Sequence, residues 1–194
     1  VLVPRPSYPL FTHLADLADV REIPYRLAYD GSWYLDRASL AGPDAEAAKA
    51  LLVVSPNNPT GSIFDAGERL LATDWAGQRD MALISDEVFA DFVLQGEAAA
   101  AHPTFALDSP ALSFALGGLS KSCALPQMKL GWIAVSGPAE PREEALTRLE
   151  FIADTYLSVA TPVQLALPGI LERKAALQAP IRSRLARNLE ALMA

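Results

Sequence analysis

Short apolar runs alternate along the chain with segments whose apolar residues recur at helical spacing. The runs at 1–3, 51–54, 81–85, 112–116 and 130–135 are predicted strands, and a further strand is predicted to begin at 21–23. Alternation of this kind is typical of an α/β domain with a mainly parallel sheet. The pattern therefore predicts one such domain, without internal repeats or an interdomain linker.

Helices are predicted between and after these strands. Leu10, Leu14 and Leu17 mark a short amphipathic helix, and Asp65 is a predicted N-cap for a helix that runs to about residue 79. The chain is predicted to be helical beyond the last strand, where Pro162 suits a helix start. Residues 31–42 are polar and predicted to be irregular. The 15 prolines are expected to fall mostly between these elements, as helix breakers.

Composition excludes several classes of function. With 51% hydrophobic and 20% charged residues, the chain lies in the ordinary globular range, and a net charge of -7 leaves no basic face for nucleic acid. No apolar run is long enough to span a membrane. The single Cys123 and the distant His13 and His102 do not form a metal site. A cytoplasmic, metal-free protein is expected.

The two ends of the chain suggest a fragment. It begins Val1-Leu2-Val3-Pro4, without an initiator Met or a signal peptide, and the first residues are already predicted to be a strand. The last residues, Ile181 to Ala194, are predicted to be a helix with no stop signal. We therefore expect an excised piece of a longer protein.

Polar clusters follow three of the predicted strands. They are Ser55 to Gly61, Ser85 to Phe89, and Leu119 to Lys121 with Lys129 to Trp132 beyond it. Open α/β sheets bind ligands at the carboxyl ends of their strands, which makes a site plausible here. Taken singly, the clusters also fit an ordinary turn, a solvated strand end and a surface lysine.

Taken together, these motifs resemble the class I/II aminotransferases that depend on pyridoxal phosphate (PLP), which are fold type I enzymes of the aspartate aminotransferase superfamily. The matching segments are, in chain order, Pro6-Ser7-Tyr8-Pro9, Asn58-Pro59-Thr60-Gly61, Asp86-Glu87-Val88-Phe89, Ser120-Lys121, Lys129-Leu130-Gly131-Trp132, and Tyr156 to Gln164. Their order and intervals both match, so the resemblance covers nearly the whole chain.

This resemblance implies a three-layer α/β/α fold with a mainly parallel, mixed sheet, incomplete in this chain. Residues 1–194 would form a single domain, most of the PLP-binding large domain. The N-terminal part and the C-terminal small domain, with its arginine for the substrate carboxylate, would be absent. Family members build each active site from two subunits, so the intact protein is expected to be a homodimer.

Three residues carry the central roles that the resemblance implies. Lys121 would form the resting Schiff base and then move a proton between the substrate Cα and the cofactor C4′. Asp86 would pair with the protonated ring nitrogen, which keeps the ring an electron sink. Asn58 would donate its amide to the phenolic oxygen, and a cis peptide bond is expected between Asn58 and Pro59.

Four further positions would contact the cofactor. Tyr8 would stack on the pyridine ring, Ser120 could donate a hydroxyl to the phosphate, and Lys129 would supply a point charge where an arginine is usual. In the family, the serine that usually binds the phosphate lies at the position that Gly118 occupies in this chain, so Gly118 is not counted among the four. Phe89 stands where many members have a tyrosine, so one expected donor to the phenolic oxygen is missing.

The implied activity is transfer of an amino group from an L-amino acid to a 2-oxo acid. Two alternatives stay open: a PLP-dependent carbon-sulfur β-lyase of the same superfamily, and a PLP-binding effector domain of a transcription regulator. A relic that no longer binds the cofactor is disfavoured, because Asn58, Asp86 and Lys121 are all retained.

Overall fold

The computed structural model describes residues 1–94, 104–107, 109–156 and 158–194. Its strands are β1 (Leu2–Arg5), β2 (Ile23–Tyr29), β3 (Trp33–Leu35), β4 (Ala50–Val54), β5 (Ala82–Asp86), β6 (Ser113–Gly118) and β7 (Gly131–Ser136). They form one sheet in the order β3-β2-β1-β4-β5-β6-β7. The β2–β3 and β6–β7 pairs are antiparallel and the other four pairs are parallel. The sheet is therefore mixed and mainly parallel, as predicted.

Helices connect and flank these strands. They are α1 (Leu10–Leu17), α2 (Pro43–Glu46), α3 (Ala66–Gly77), α4 (Leu119–Ser122), α5 (Ala139–Thr155), α6 (Thr161–Glu172) and α7 (Lys174–Met193). Helix α3 begins at the predicted N-cap: the Asp65 side chain accepts the Glu68 amide, and the Glu68 side chain accepts the Asp65 amide. In the described part of the chain, no helix combines the length and apolar character that crossing a bilayer requires.

Both faces of the sheet are covered. Successive residues of a strand point to opposite faces, and in β4 Leu51 and Val53 join the larger apolar cluster, which includes Ala72 of α3. Leu52 and Val54 join a second cluster, against which Phe11 of α1 packs. Helices thus lie on both sides of the sheet, and the predicted three-layer α/β/α class is confirmed.

The region predicted to be irregular contains strand β3. Trp33 pairs with Tyr29 of β2, and their rings lie 5.4 Å apart between centroids. Three residues of strand-forming character between polar neighbours are too few to give a periodic pattern, so the prediction of irregular structure over 31–42 was wrong at this point.

Several prolines lie inside elements instead of between them: Pro4 in β1 and Pro24 in β2, Pro141 and Pro162 in the first turns of α5 and α6, and Pro168 and Pro180 in the interiors of α6 and α7. A proline removes one backbone hydrogen bond from a helix. In α6, Leu167 and Ile170 on either side of Pro168 pack against the cluster formed by Leu119, Cys123 and Leu130, so tertiary contacts hold the helix together.

Candidate active site

The parallel strands bring the predicted polar clusters to one edge of the sheet. Val54, the last residue of β4, is in register with Asp86, the last residue of β5, and Asp86 is in register with Leu116 of β6. The Ser55 amide donates to the Asp86 carbonyl at 3.0 Å. The chain segments that follow these three strands therefore start side by side.

The loops after β1 and β4 lie at the point where the strand order reverses. From β1 the sheet extends through β2 in one direction and through β4 in the other, and ligands of open α/β sheets bind at such a point. The buried Asn57 joins the two loops: its Nδ2 donates to the Pro6 carbonyl at 3.2 Å and to Thr60 Oγ1 at 2.8 Å. The peptide bond between Asn58 and Pro59 is cis, as expected.

Helix α4 presents Lys121 at the end of β6. Leu119 and Cys123 are buried on one side of α4, whereas Lys121 is exposed. Its Nζ lies 5.7 Å from the centroid of the Phe89 ring. A cation over a ring face at this distance is attracted by the ring quadrupole. Lys121 therefore faces the segment that follows β5.

Asp86 is a partly buried carboxylate beside this lysine. Burial raises the pKa of Asp86, and the neighbouring Glu87 raises it further. The Val88 amide, which donates to Asp86 Oδ1 at 3.1 Å, and the positive charge of Lys121 both lower the pKa of Asp86. Because burial is the largest of these causes, the charged carboxylate is held at a cost in free energy, and it is suited to a cationic partner.

Asn58 and Phe89 line the same cavity, which has a volume of about 700 Å³. The rest of its wall is mainly apolar and includes Phe92, Val93 and Leu189 of α7. No ionisable side chain is among the described residues that line it. The cavity thus adjoins two of the candidate cofactor residues and offers an uncharged surface.

The remaining candidate residues lie around this edge. Tyr8 precedes α1, is 47% exposed and packs edge-on against Phe11 with a centroid distance of 6.5 Å. Ser120 is half-buried in α4. Lys129 is exposed, with a left-handed backbone conformation, and it precedes Leu130, whose carbonyl accepts the Leu119 amide at 3.0 Å. Lys129 is thereby brought next to the start of α4.

Two polar residues that support the site had no role in the sequence-based prediction. One is Asn57, whose bond to Pro6 depends on two loops far apart in sequence. The other is Glu87, whose Oε1 accepts the Ser85 hydroxyl at 3.0 Å and the Phe105 amide at 2.8 Å. Both are ordinary polar residues within motifs, and no sequence spacing distinguishes them.

No group of histidine, cysteine and acidic side chains in the described ranges is arranged to hold a metal ion. Cys123 is buried and free, and His13 lies in α1. His102 lies outside the described residues.

The sequence and the fold match those of a known family. A family model, aminotransferase class I and II, matches residues 1–193. The alanine aminotransferase of Mycobacterium tuberculosis is 32% identical over 168 residues, which are 86% of this chain and 38% of that protein. The chain therefore belongs to the class I and II aminotransferase family.

Solved structures agree with this assignment. An alanine aminotransferase from Pyrococcus furiosus superposes with a TM-score of 0.80 at 26% identity, over 98% of this chain and 47% of that one. A PLP-bound C-S lyase from Staphylococcus hominis has a TM-score of 0.79 at 20% identity, over 99% of this chain and 48% of that one, which shows the shared fold alone. The chain spans less than half the length of each of these proteins.

Proposed function

We propose that this chain is the cofactor-binding part of a PLP-dependent aminotransferase, which transfers an amino group from an L-amino acid to a 2-oxo acid. One observation carries the proposal: the amine of Lys121, in the helix after β6, lies 5.7 Å from the centroid of the Phe89 ring, three residues beyond Asp86 at the end of β5. The family and the resemblance of the motifs support the same cofactor.

The residues fit PLP chemically. When bound, PLP withdraws electrons from the substrate Cα. Asp86 binds and orients the ring nitrogen, and a cationic partner would offset the burial that raises the pKa of Asp86. Asn58 would hold the phenolic oxygen through its side-chain amide. Lys121 would hold the cofactor through its amine and, when that amine is free, would move a proton at the substrate Cα.

Four other residues complete the proposed cofactor site, and one of them, Phe89, lies beside the phenolic oxygen without a hydroxyl to donate to it. Tyr8 covers one face of the ring, and its position just beyond the end of β1 supports this role. Ser120 and Lys129 hold the phosphate, since one precedes the lysine in α4 and the other adjoins the start of that helix. Lys129 provides a point charge instead of the two-pronged hydrogen bonding of an arginine.

We propose the following for the intact protein. Residues 1–194 are most of its PLP-binding large domain, and further N-terminal residues and a C-terminal small domain complete it. The protein is cytoplasmic and acts as a homodimer, with each site built from two subunits. The coverage of the relatives, 38% of the mycobacterial enzyme for example, supports the partial-domain proposal.

An assay of the intact protein tests this function. Amino donors are supplied with and without 2-oxoglutarate, and keto-acid formation is measured. An aminotransferase forms the keto acid only with the acceptor, whereas a β-lyase releases it without one. Lys121→Ala is expected to lower the rate by at least about 10³-fold. Lys49→Ala is the matched control, because Lys49 is an exposed lysine that precedes β4, at the opposite edge of the sheet.

A PLP-binding regulator gives a third result. Such a protein would take up PLP through Lys121 and turn over neither reaction, which would contradict the proposed catalysis while leaving the cofactor site in place.

A further inference from the structure

One face of α7 contacts both segments that carry the candidate cofactor residues. Lys174, Gln178 and Arg182 are four residues apart, so they lie along one side of the helix. Gln178 reaches α4, whereas Lys174 and Arg182 reach the segment after β5. Helix α7 therefore bridges the two segments.

The contact with α4 is a buried hydrogen bond. Gln178 is 6% exposed, and its Nε2 donates to the Ser122 carbonyl at 2.8 Å. The last carbonyls of a helix have no partner within it, and a helix as short as α4 depends on outside donors. Ser122 directly follows Lys121, so this bond fixes the residue next to the candidate lysine.

The other two contacts are with Asp91. Lys174 Nζ lies 2.7 Å from Asp91 Oδ1, and the Arg182 guanidinium donates to the Asp91 carbonyl. Arg182 also lies over the Phe92 ring, 6.0 Å from its centroid. These residues lie in the 3₁₀ turn at 90–92, whose Phe92 amide donates to the Phe89 carbonyl at 2.9 Å. The turn thus connects α7 to Phe89.

We propose that Gln178 is a positioning residue for Lys121. By holding the Ser122 carbonyl, it fixes α4 so that Lys121 faces Phe89 and Asp86, while Lys174 and Arg182 hold the facing segment. The inference rests on the proposed function, in which Lys121 carries the cofactor. Gln178 bonds to a backbone carbonyl beside Lys121 and is not assigned a contact with reacting atoms, so it acts through α4.

The test uses two variants that lose the donor in different ways. Gln178→Glu keeps the shape of the side chain, and Gln178→Leu removes its polarity. The matched control is Gln164→Leu, because Gln164 Nε2 also donates to a backbone carbonyl, that of Val159 at 2.7 Å, but in an exposed position. Each variant is made in the intact protein.

Two quantities are measured. The first is hydrogen exchange of the Cys123 and Leu125 amides, which both donate to the Leu119 carbonyl in α4, in the cofactor-free protein. The second is the pair of kinetic constants kcat and KM, each determined with the PLP-bound enzyme. An unpaired buried acceptor weakens its surroundings, so exchange should accelerate about tenfold in both variants. We expect kcat to fall about tenfold, with KM changed by less than about twofold.

The outcomes are distinguishable. Unchanged exchange and kcat in both variants would overturn the proposal, and so would a raised KM with unchanged kcat, which would place the effect on substrate binding. If the wild type formed no keto acid, the proposed function would be wrong. Faster exchange in the variants would still show that Gln178 stabilises α4. Gln164→Leu should alter neither quantity.

Discussion

The Nζ atom of Lys121 lies over the ring of Phe89, 5.7 Å from its centroid. This contact joins the helix after β6 to the segment after β5, so the two parts of the site are in contact across the sheet edge. Position 89 offers the lysine an aromatic face and carries no hydroxyl. A tyrosine there would keep the face and add a hydrogen-bond donor.

The first prediction concerns this missing donor. In the loaded protein, each donor to the cofactor phenolic oxygen stabilises its negative charge without a proton. Phe89→Tyr should therefore lose the long-wavelength visible band at a lower pH than the wild type, by about one pH unit for one added hydrogen bond. Titration of the visible spectrum of both proteins measures the shift.

The control for this titration is Phe92→Tyr, which adds the same hydroxyl within the same turn. It should leave the curve in place. Identical curves for Phe89→Tyr and the wild type would mean that position 89 does not face the phenolic oxygen, or that another residue already supplies the donor.

The second prediction concerns a glycine that the fold requires. Gly137 has φ of +117°, and a Cβ added there would lie 2.5 Å from the Ala111 carbonyl oxygen. Gly137→Ala should therefore destabilise the protein by about 2–4 kcal/mol in urea unfolding. Gly169→Ala is the control, since Gly169 lies in α6 with nothing within 4 Å of the added Cβ, and it should gain about 0.5–1 kcal/mol. Equal urea midpoints for Gly137→Ala and the wild type would show that the turn at residue 137 accommodates a Cβ without strain.

Much of the fold was predictable because its signals are local. The alternation of apolar runs with helical spacing gave the mainly parallel sheet, and the Asp65 to Glu68 capping box begins α3 as predicted. Strand β3 was missed because the segment from Trp33 to Leu35 is too short to show an alternating pattern. It is a strand because it pairs with β2, and the sequence pattern does not show that pairing. The helical Pro168 was missed because packing outweighs the backbone cost.

The site was predictable only in part. Motif resemblance indicated Lys121, Asp86 and Asn58, and topology places them at one edge of the sheet. Their roles toward the cofactor stay predictions until they are tested. Asn57 and Gln178 were not predictable, because each supports the site through a backbone carbonyl distant in sequence, and no pattern of side chains marks a carbonyl as unpaired.

The third prediction concerns the phosphate. Lys129→Arg replaces a point charge by a planar fork that can bind two phosphate oxygens. The dissociation constant of PLP should fall about threefold, and it should rise about tenfold in Lys129→Ala. Equilibrium dialysis measures both, with Lys49→Arg as the control at the opposite edge. An unchanged constant in Lys129→Ala would remove Lys129 from the phosphate site.

The last prediction concerns the charge of Asp86 in the cofactor-free protein. Burial raises the pKa of this carboxyl above its value in the unfolded chain, so the native state binds the proton more tightly. The resulting stabilisation is full at pH values below the unfolded pKa, near 3.9, and is lost as the pH rises through the native pKa. At pH 7 the native protein therefore bears the whole cost of the buried charge.

Asp86→Asn removes that cost while keeping the shape of the side chain. The cofactor-free variant should have a higher Tm than the wild type at pH 7, and the difference should shrink as the pH falls towards 4. Each 1 kcal/mol corresponds to about 2–4 °C in a domain of this size. Asp44→Asn is the control, because Asp44 forms an exposed ion pair with Arg21. A pH-independent difference, or a lower Tm for Asp86→Asn at pH 7, would contradict the raised pKa. With PLP bound the order should reverse, since the carboxylate then gains the cationic partner that asparagine cannot replace.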